Sequence, residues 1–264
     1  MFANQCLDVK VVELNALGPA GDASKFFELC LEYPGWKQWS AGQFVMLRPQ
    51  GPGFEPLWAR AFSVCRVDER GLWVFFQVMG RGTRKMSELT PGDIITLWGP
   101  LGNWFYVRPD TPTLILAGGL GLAPFVGYVL AHPKPENLRL VFGHTAPLDC
   151  YPYAELAGRV ASEAFFDQGP SDLQAFIALI QDRVREFSKD GLVLACGPPR
   201  FLRTVRTFAL KEGAEAQLSL ENRMACGVGA CLGCVVKDNK GDFVQVCFRG
   251  QVFRADEVNL DQGA

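Results

Sequence analysis

Four cysteines near the C-terminal end carry the chemistry that is easiest to read in this chain. Cys226, Cys231 and Cys234 stand as C-x4-C-x2-C, and Cys247 follows after twelve intervening residues. The first three have the spacing of a plant-type [2Fe–2S] loop. Gly227, Gly229 and Gly233 fill the same loop, as expected where backbone must take positive φ and bring amides close to sulfides that side chains would block. Cys247 is expected on the return strand of a hairpin turning at Lys237–Asp242. A structural zinc site with four thiolates is the alternative. Zinc ligands usually come as two short knuckles, whereas three thiols here share one glycine-lined loop, which favours the cluster.

Two further turns can receive phosphates. Gly118, Gly119 and Gly121 lie in Leu116-Ala-Gly-Gly-Leu-Gly-Leu-Ala-Pro124, between an expected strand and an expected helix, where free amides favour an anion. About eighty residues on, Cys196, Gly197 and Pro198 form a second strand-to-helix turn. Turns of this kind at the carboxyl ends of parallel strands line one crevice in open α/β sheets. Nearer the N-terminus, Arg60-Ala-Phe-Ser63 puts a cation, an aromatic and a hydroxyl on one short strand, and Gly80-Arg-Gly-Thr83 forms a tight turn before a short helical segment, Arg84–Leu89.

The elements that must position these residues fall into three stretches. Runs at Leu7–Leu14, Lys25–Leu31, Gln43–Arg48, Ala61–Val67, Leu72–Met79 and Asp93–Trp98 read as short antiparallel strands of a barrel or sandwich, residues 1–108. Residues 109–216 alternate strand and helix, with strands at Leu114–Ala117, Leu138–Phe142 and Leu192–Cys196, so an α/β domain with a parallel sheet is expected. Its clearest helix is Ser171–Phe187, where Leu173, Phe176, Ile177, Ile180, Val184 and Phe187 repeat at helical spacing behind a serine N-cap and are expected in the core. Residues 217–264 are Gly- and Cys-rich and too short to fold by apolar burial alone.

The whole chain has 264 residues, 48% of them hydrophobic, and a formal net charge of −2. That composition excludes disordered and fibrous classes, and it offers no basic surface for nucleic acid. Thr111–Pro133 lacks charged residues, but its glycines and prolines point to a strand and a helix start rather than a membrane span. Met1–Lys10 does not read as a secretory signal. Five cysteines outside the cluster fit reduced thiols in a cytoplasmic protein better than disulfides.

Taken in order, these motifs resemble those of the ferredoxin–NADP reductase superfamily and, within it, the electron-transfer subunits of class 1B dihydroorotate dehydrogenase. Gly99-Pro-Leu-Gly-Asn103 is a further shared motif, and the likeness runs from about Val9 to Val258. The resemblance implies a multi-domain chain: an antiparallel β-barrel binding FAD, an α/β domain binding NAD(H) and a small C-terminal [2Fe–2S] domain. It implies that Arg60, Ala61, Phe62, Ser63, Gly82 and Thr83 contact FAD, that Phe75, Phe76 and Gln77 run beside its ring, and that Cys226, Cys231, Cys234 and Cys247 ligate the cluster. It also implies an FMN-containing catalytic subunit, in a heterotetramer with two copies of each chain, that oxidises dihydroorotate in pyrimidine biosynthesis. An NAD(P)H-oxidising subunit of a ferredoxin, sulfur or hydrogenase reductase complex is the second reading, and a zinc-stapled binding module the third.

Hydride transfer between nicotinamide and flavin needs no general base, which suits a chain whose only histidines are His132 and His144. No arginine follows Phe142 in His144–Asp149, so NADH is expected over NADPH. The Pro49–Trp58 segment is expected to be a loop near the flavin, a partner contact or a barrel lid.

Overall fold

The computed structural model describes residues 5–19, 25–51 and 58–260. Most of Pro49–Trp58 therefore lies outside the described residues. The first half contributes β1 (Gln5–Leu17), β2 (Phe26–Leu31), β3 (Phe44–Pro49), β4 (Arg60–Ser63), β5 (Arg66–Asp68), β6 (Gly71–Gln77), α1 (Arg81–Met86) and β7 (Ile94–Leu101). The strands form one sheet in the order β4-β3-β7-β1-β2-β6-β5, with antiparallel pairing throughout.

Its two edges, β4 and β5, are consecutive in the chain and separated only by Val64 and Cys65, so the sheet must curl until those edges meet. On the two sides of that seam Val64 N–H extends the β4–β3 ladder to Gln43 O and Cys65 N–H extends the β5–β6 ladder to Trp73 O, both at 2.9 Å. Closure in this way removes the exposed edges of an open sheet. The expected single strand Ala61–Val67 is thus two, because β4 pairs with β3 and β5 with β6. Val9, Leu29, Val45, Leu47, Phe62, Val74, Phe76 and Leu97 fill the barrel interior.

The second half runs β8 (Thr113–Gly118), α2 (Ala123–Ala131), β9 (Leu138–His144), α3 (Ala154–Ala157), β10 (Ala161–Phe166), α4 (Pro170–Glu186), β11 (Leu192–Cys196), α5 (Pro199–Glu212) and β12 (Glu215–Ser219). Five parallel strands stand in the order β10-β9-β8-β11-β12. Both faces of this sheet are covered, as parallel sheets require. Ile115 and Ala117 face α2 and, beyond it, the barrel residues Phe26, Trp73 and Phe75. Leu114 and Leu116 face α4 and α5. Thr111–Pro133 resolves into β8 and α2, and no described helix is long and apolar enough to cross a membrane.

The α4 helix carries one correction. It begins at Pro170 with Gly169 as N-cap, and no side chain caps it. Phe176, Ile180 and Val184 are buried as expected, but Leu173, in the first turn, is 45% exposed.

The C-terminal stretch adds β13 (Val235–Lys237), β14 (Phe243–Gln245), α6 (Val246–Arg249) and β15 (Val252–Arg254). The expected hairpin is present as β13 and β14, but Cys247 lies in the short helix beyond it rather than on its return strand. β15 pairs antiparallel with β12, Leu218 opposite Phe253, and so completes the parallel sheet from the far end of the chain. β12 itself runs across the expected boundary at 216/217. Cys234, Val246 and Cys247 are buried in one cluster with barrel residues Phe44, Met46 and Leu101 and α5 residues Leu202 and Val205.

One ion cluster ties the barrel to the α/β unit. Arg66 Nη1 donates to Glu28 Oε1 at 2.8 Å and to Glu155 Oε1 of α3 at 3.0 Å, with its guanidinium 4.2 Å from the centre of the Trp73 ring. Glu28 is buried. Arg66→Leu would strand that carboxylate, at a cost of about 3 kcal/mol. We expect a lowered thermal unfolding midpoint, largely restored in the Arg66→Leu, Glu28→Gln double variant. A single variant as stable as the parent would contradict this account of the junction.

Candidate functional site

A crevice of about 790 Å³ opens between the barrel and the carboxyl ends of β8, β11 and β12. That is within the usual range for sites that enclose a whole ligand. One wall is barrel: Arg60, Ala61, Phe62 and Ser63 of β4, Phe75, Phe76 and Gln77 of β6, and Thr83 of α1. Phe62 also packs edge-on against Phe76, 5.8 Å between ring centres, so it belongs partly to the barrel interior.

Arg60 is seated by its neighbours. Its Nη1 donates to the carbonyls of Trp58 at 2.7 Å and Ala59 at 3.2 Å. Gly82 does not line the crevice, but a Cβ there would stand 2.8 Å from Arg60 Nε, so the bare α-carbon makes room for the guanidinium. Among the described residues no carboxylate pairs with Arg60, which leaves donors for an anion. Thr83 Oγ1 accepts the Met79 and Gly80 amides at 2.9 and 3.2 Å and closes the turn.

The opposite wall is formed by the two strand-end turns. Gly121, Cys196 and Gly197 line it, together with Leu120 and Ala123. A Cβ on Gly121 would lie 2.1 Å from Cys196 O, and one on Gly197 would lie 2.7 Å from Phe201 Cδ1. A Cβ on Gly118 would meet Pro198 Cδ at 3.1 Å. Gly118 and Pro198 therefore pack the strand ends together without lining the crevice. Gly119 is likewise outside the lining, has φ of 53° and faces open space. Burial pushes the Cys196 thiol up to about 12, so it stands in the wall as a neutral thiol.

Several wall residues have no local signal in the sequence. Phe44, Ser219, Met224, Ala225 and Gln251 reach the crevice only through the fold. Ser219 could have been found from sheet register alone, since it stands opposite Cys196 on the neighbouring parallel strand.

The cysteine loop lies directly behind this wall. Among the described residues no three His, Cys, Asp or Glu side chains converge on a point that could hold a single ion. Hydrogen bonds join the four in pairs, the Cys231 amide to Cys226 Sγ and the Cys247 amide to Cys234 Sγ. Two pairs suit a binuclear cluster, in which each iron takes two thiolates, better than one tetrahedral zinc. Backbone amides point at the sulfurs: Val228 and Cys231 N–H at Cys226 Sγ (both 3.4 Å), Gly229 N–H at Cys247 Sγ (3.1 Å) and Cys247 N–H at Cys234 Sγ (3.4 Å). Burial works against ionisation of Cys226, but its amide and thiol donors outweigh it and hold the thiol at about 7. Burial, with Cys234 beside it, pushes Cys247 up to about 12. One pair is buried, while Cys231 is exposed beside the solvent-facing Val228, Leu232 and Phe248. The donor set fits a [2Fe–2S] cluster and the crevice fits a flavin dinucleotide.

Comparison with known proteins agrees with this geometry. Residues 221–259 match the family described as the iron-sulfur cluster binding domain of dihydroorotate dehydrogenase B. A dihydroorotate dehydrogenase B (NAD+) electron transfer subunit of Caldanaerobacter subterraneus subsp. tengcongensis is 33% identical, with 89% of this chain and 93% of that one aligned. The subunit of the same name from Listeria monocytogenes serotype 4a is 34% identical, covering 94% and 98%. Among solved structures, an NADH-dependent reduced ferredoxin-NADP oxidoreductase shares the fold with a TM-score of 0.78 at 23% identity, over 96% of this chain and 90% of that one. Ferredoxin-NADP+ reductase of Plasmodium falciparum does so with a TM-score of 0.68 at 13% identity, over 82% and 96%. With four thiols behind the crevice wall and 33–34% identity to these subunits along nearly its full length, the chain belongs to the family of dihydroorotate dehydrogenase B electron transfer subunits.

Proposed function

We propose that this chain is the NAD-dependent electron-transfer subunit of a dihydroorotate dehydrogenase, holding FAD in the crevice and a [2Fe–2S] cluster on Cys226, Cys231, Cys234 and Cys247, and exchanging electrons with an FMN-containing catalytic subunit. When bound, FAD supplies two-electron exchange with NAD(H) and the cluster supplies one-electron exchange. The observation that carries this reading is continuity: Met224 and Ala225 belong to the crevice wall, and the next residue is the first cluster ligand.

In this reading Arg60 holds the flavin pyrophosphate, Ala61, Ser63, Phe75 and Gln77 border the ring, and Thr83 fixes the turn beside it. Gly121, Cys196 and Gly197 receive the nicotinamide end and exclude water from it. Gly118, Gly119 and Pro198 shape that turn. NADH is the nucleotide, since no arginine stands in His144–Asp149 to meet a 2′-phosphate. The exposed side of the cysteine loop, with Val228, Leu232 and Phe248, faces the catalytic subunit. Assembly as two copies of each chain and a cytoplasmic location, where the other five thiols stay reduced, complete the proposal. In this reading the chain divides into a barrel, an α/β unit and a cluster unit docked on both, with β12 and β15 joining the last two.

The test is anaerobic purification followed by a visible spectrum before and after NADH. Flavin and iron–sulfur bands that bleach with NADH are expected, and a colourless protein would refute the reading. Adding the FMN-containing subunit should then give NAD-dependent orotate formation, and no gain over that subunit alone would refute the partner. Arg60→Ala should weaken FAD binding about 100-fold, from the loss of charge-assisted bonds to the pyrophosphate. Fluorescence titration of the apoprotein with FAD measures it.

A further inference from the structure

The barrel row that carries the crevice wall also reaches the cysteine loop. Ala61 on β4, Met46 on β3 and Trp98 on β7 are successive cross-strand partners. Partners of this kind present their side chains on the same face of a sheet. Ala61 lines the crevice, and Met46 and Trp98 pack on the outer face of the barrel with Leu101, Cys234 and Cys247. At the end of the row the Trp98 indole Nε1–H donates to the Cys226 carbonyl at 3.0 Å. Beside it Gly227, at φ of 72°, approaches the barrel so closely that a Cβ would stand 2.6 Å from Met46 Cγ. The crevice wall and the first cluster ligand are therefore joined twice, once through the Ala225–Cys226 peptide and once through Ala61, Met46 and Trp98.

We propose that Trp98 is a positioning residue for electron exchange: its indole N–H holds the Cys226 end of the loop against the crevice wall and sets the gap between flavin and cluster. The inference rests on the functional reading above. Trp98 bonds a backbone carbonyl rather than a sulfur, so it acts on where the loop stands and not on the electron density of the thiolates. Tunnelling rates fall steeply with each added ångström, so a small retreat of the loop is enough to slow electron exchange. Hydrogen bonds in the outer shell of a metal site commonly account for 10- to 100-fold in affinity or activity.

Trp98→Phe keeps a ring on the row and removes the N–H. FAD and iron content, the potential of the cluster by redox titration, and the rates of flavin and cluster bleaching by NADH in stopped flow are measured on the full chain. The variant should hold flavin and iron as the parent does, keep the parent's cluster potential, and reduce its cluster about tenfold more slowly with NADH. Gly227→Ala, which drives the same loop off Met46 without touching Trp98, should slow the same step. Cluster reduction at the parental rate in Trp98→Phe overturns the proposal. So does loss of iron, which would make the role structural, or a shift in potential that accounts for the slower rate. A parent chain without flavin or iron would instead sink the functional reading itself.

Discussion

Replacing Cys247 with alanine is expected to remove the iron–sulfur bands and leave the flavin in place. Cys247 is 2% exposed and paired with the equally buried Cys234, and its sulfur accepts the Gly229 amide. Its loss would leave one iron with a single thiolate in a site that water cannot enter to complete. Metal binding in a segment this small is also folding free energy. β13 and β14 have three residues each, and Phe243, the first residue of β14, is 67% exposed, so the hairpin has little apolar burial of its own. We expect iron below about a tenth of the parent's, loss of at least about 100-fold in NADH-driven reduction of a one-electron acceptor that draws on the cluster, and a lower unfolding midpoint. FAD content should be unchanged, because the residues assigned to the flavin, Arg60 to Ser63 and Phe75 to Gln77, stand on barrel strands. Cys231→Ser should be milder, since Cys231 is exposed and a serine oxygen or water can stand in. A Cys247→Ala protein with full iron content would disprove the ligand assignment.

The second large effect is expected at Gly121. A Cβ there would lie 2.1 Å from the carbonyl oxygen and 2.4 Å from the carbonyl carbon of Cys196. Both are backbone atoms and cannot swing aside, so Gly121→Ala must push the two strand-end turns apart by more than an ångström. Overpacking of this kind costs about 1–3 kcal/mol in stability. A misplacement of that size at a reacting site can cost about 100-fold in rate. The variant should bind FAD as the parent does and reduce it with NADH about 100-fold more slowly, measured by stopped flow at the flavin band. Gly158→Ala is the control: the nearest atom to its Cβ would be 4.0 Å away, and it should behave as the parent. Equal rates in the two variants would show that the contact between the turns does not position the nicotinamide.

The redox chemistry was legible in the sequence because its signals are local. Three of the four thiols share one nine-residue loop, and Arg60 to Ser63 and Gly118 to Gly121 are each a single turn or strand. Backbone conformation over such short spans follows from glycine positions and strand alternation, both of which can be read without knowing what packs where. The antiparallel strands of the first half, the parallel sheet of the second and the burial of Phe176, Ile180 and Val184 follow from the same kind of pattern.

What the tertiary structure decided lies between distant segments. Arg60 and Gly121 meet across one crevice because α2 packs against the barrel, and no spacing in the sequence encodes that approach. Gly82, expected at the flavin, makes room for Arg60, and Gly118 and Pro198, expected at the nucleotide, pack two strand ends together. Cys247 left its expected strand for a short helix, and β15 joined a sheet begun some 140 residues earlier, as pairing with β12 satisfies backbone groups that the tail cannot satisfy alone. The sequence by itself determined which cofactors this chain is suited to hold. How close it holds them to one another depends on contacts such as Trp98 with Cys226, 128 residues apart, whose energy exists only once the barrel and the cysteine loop are packed.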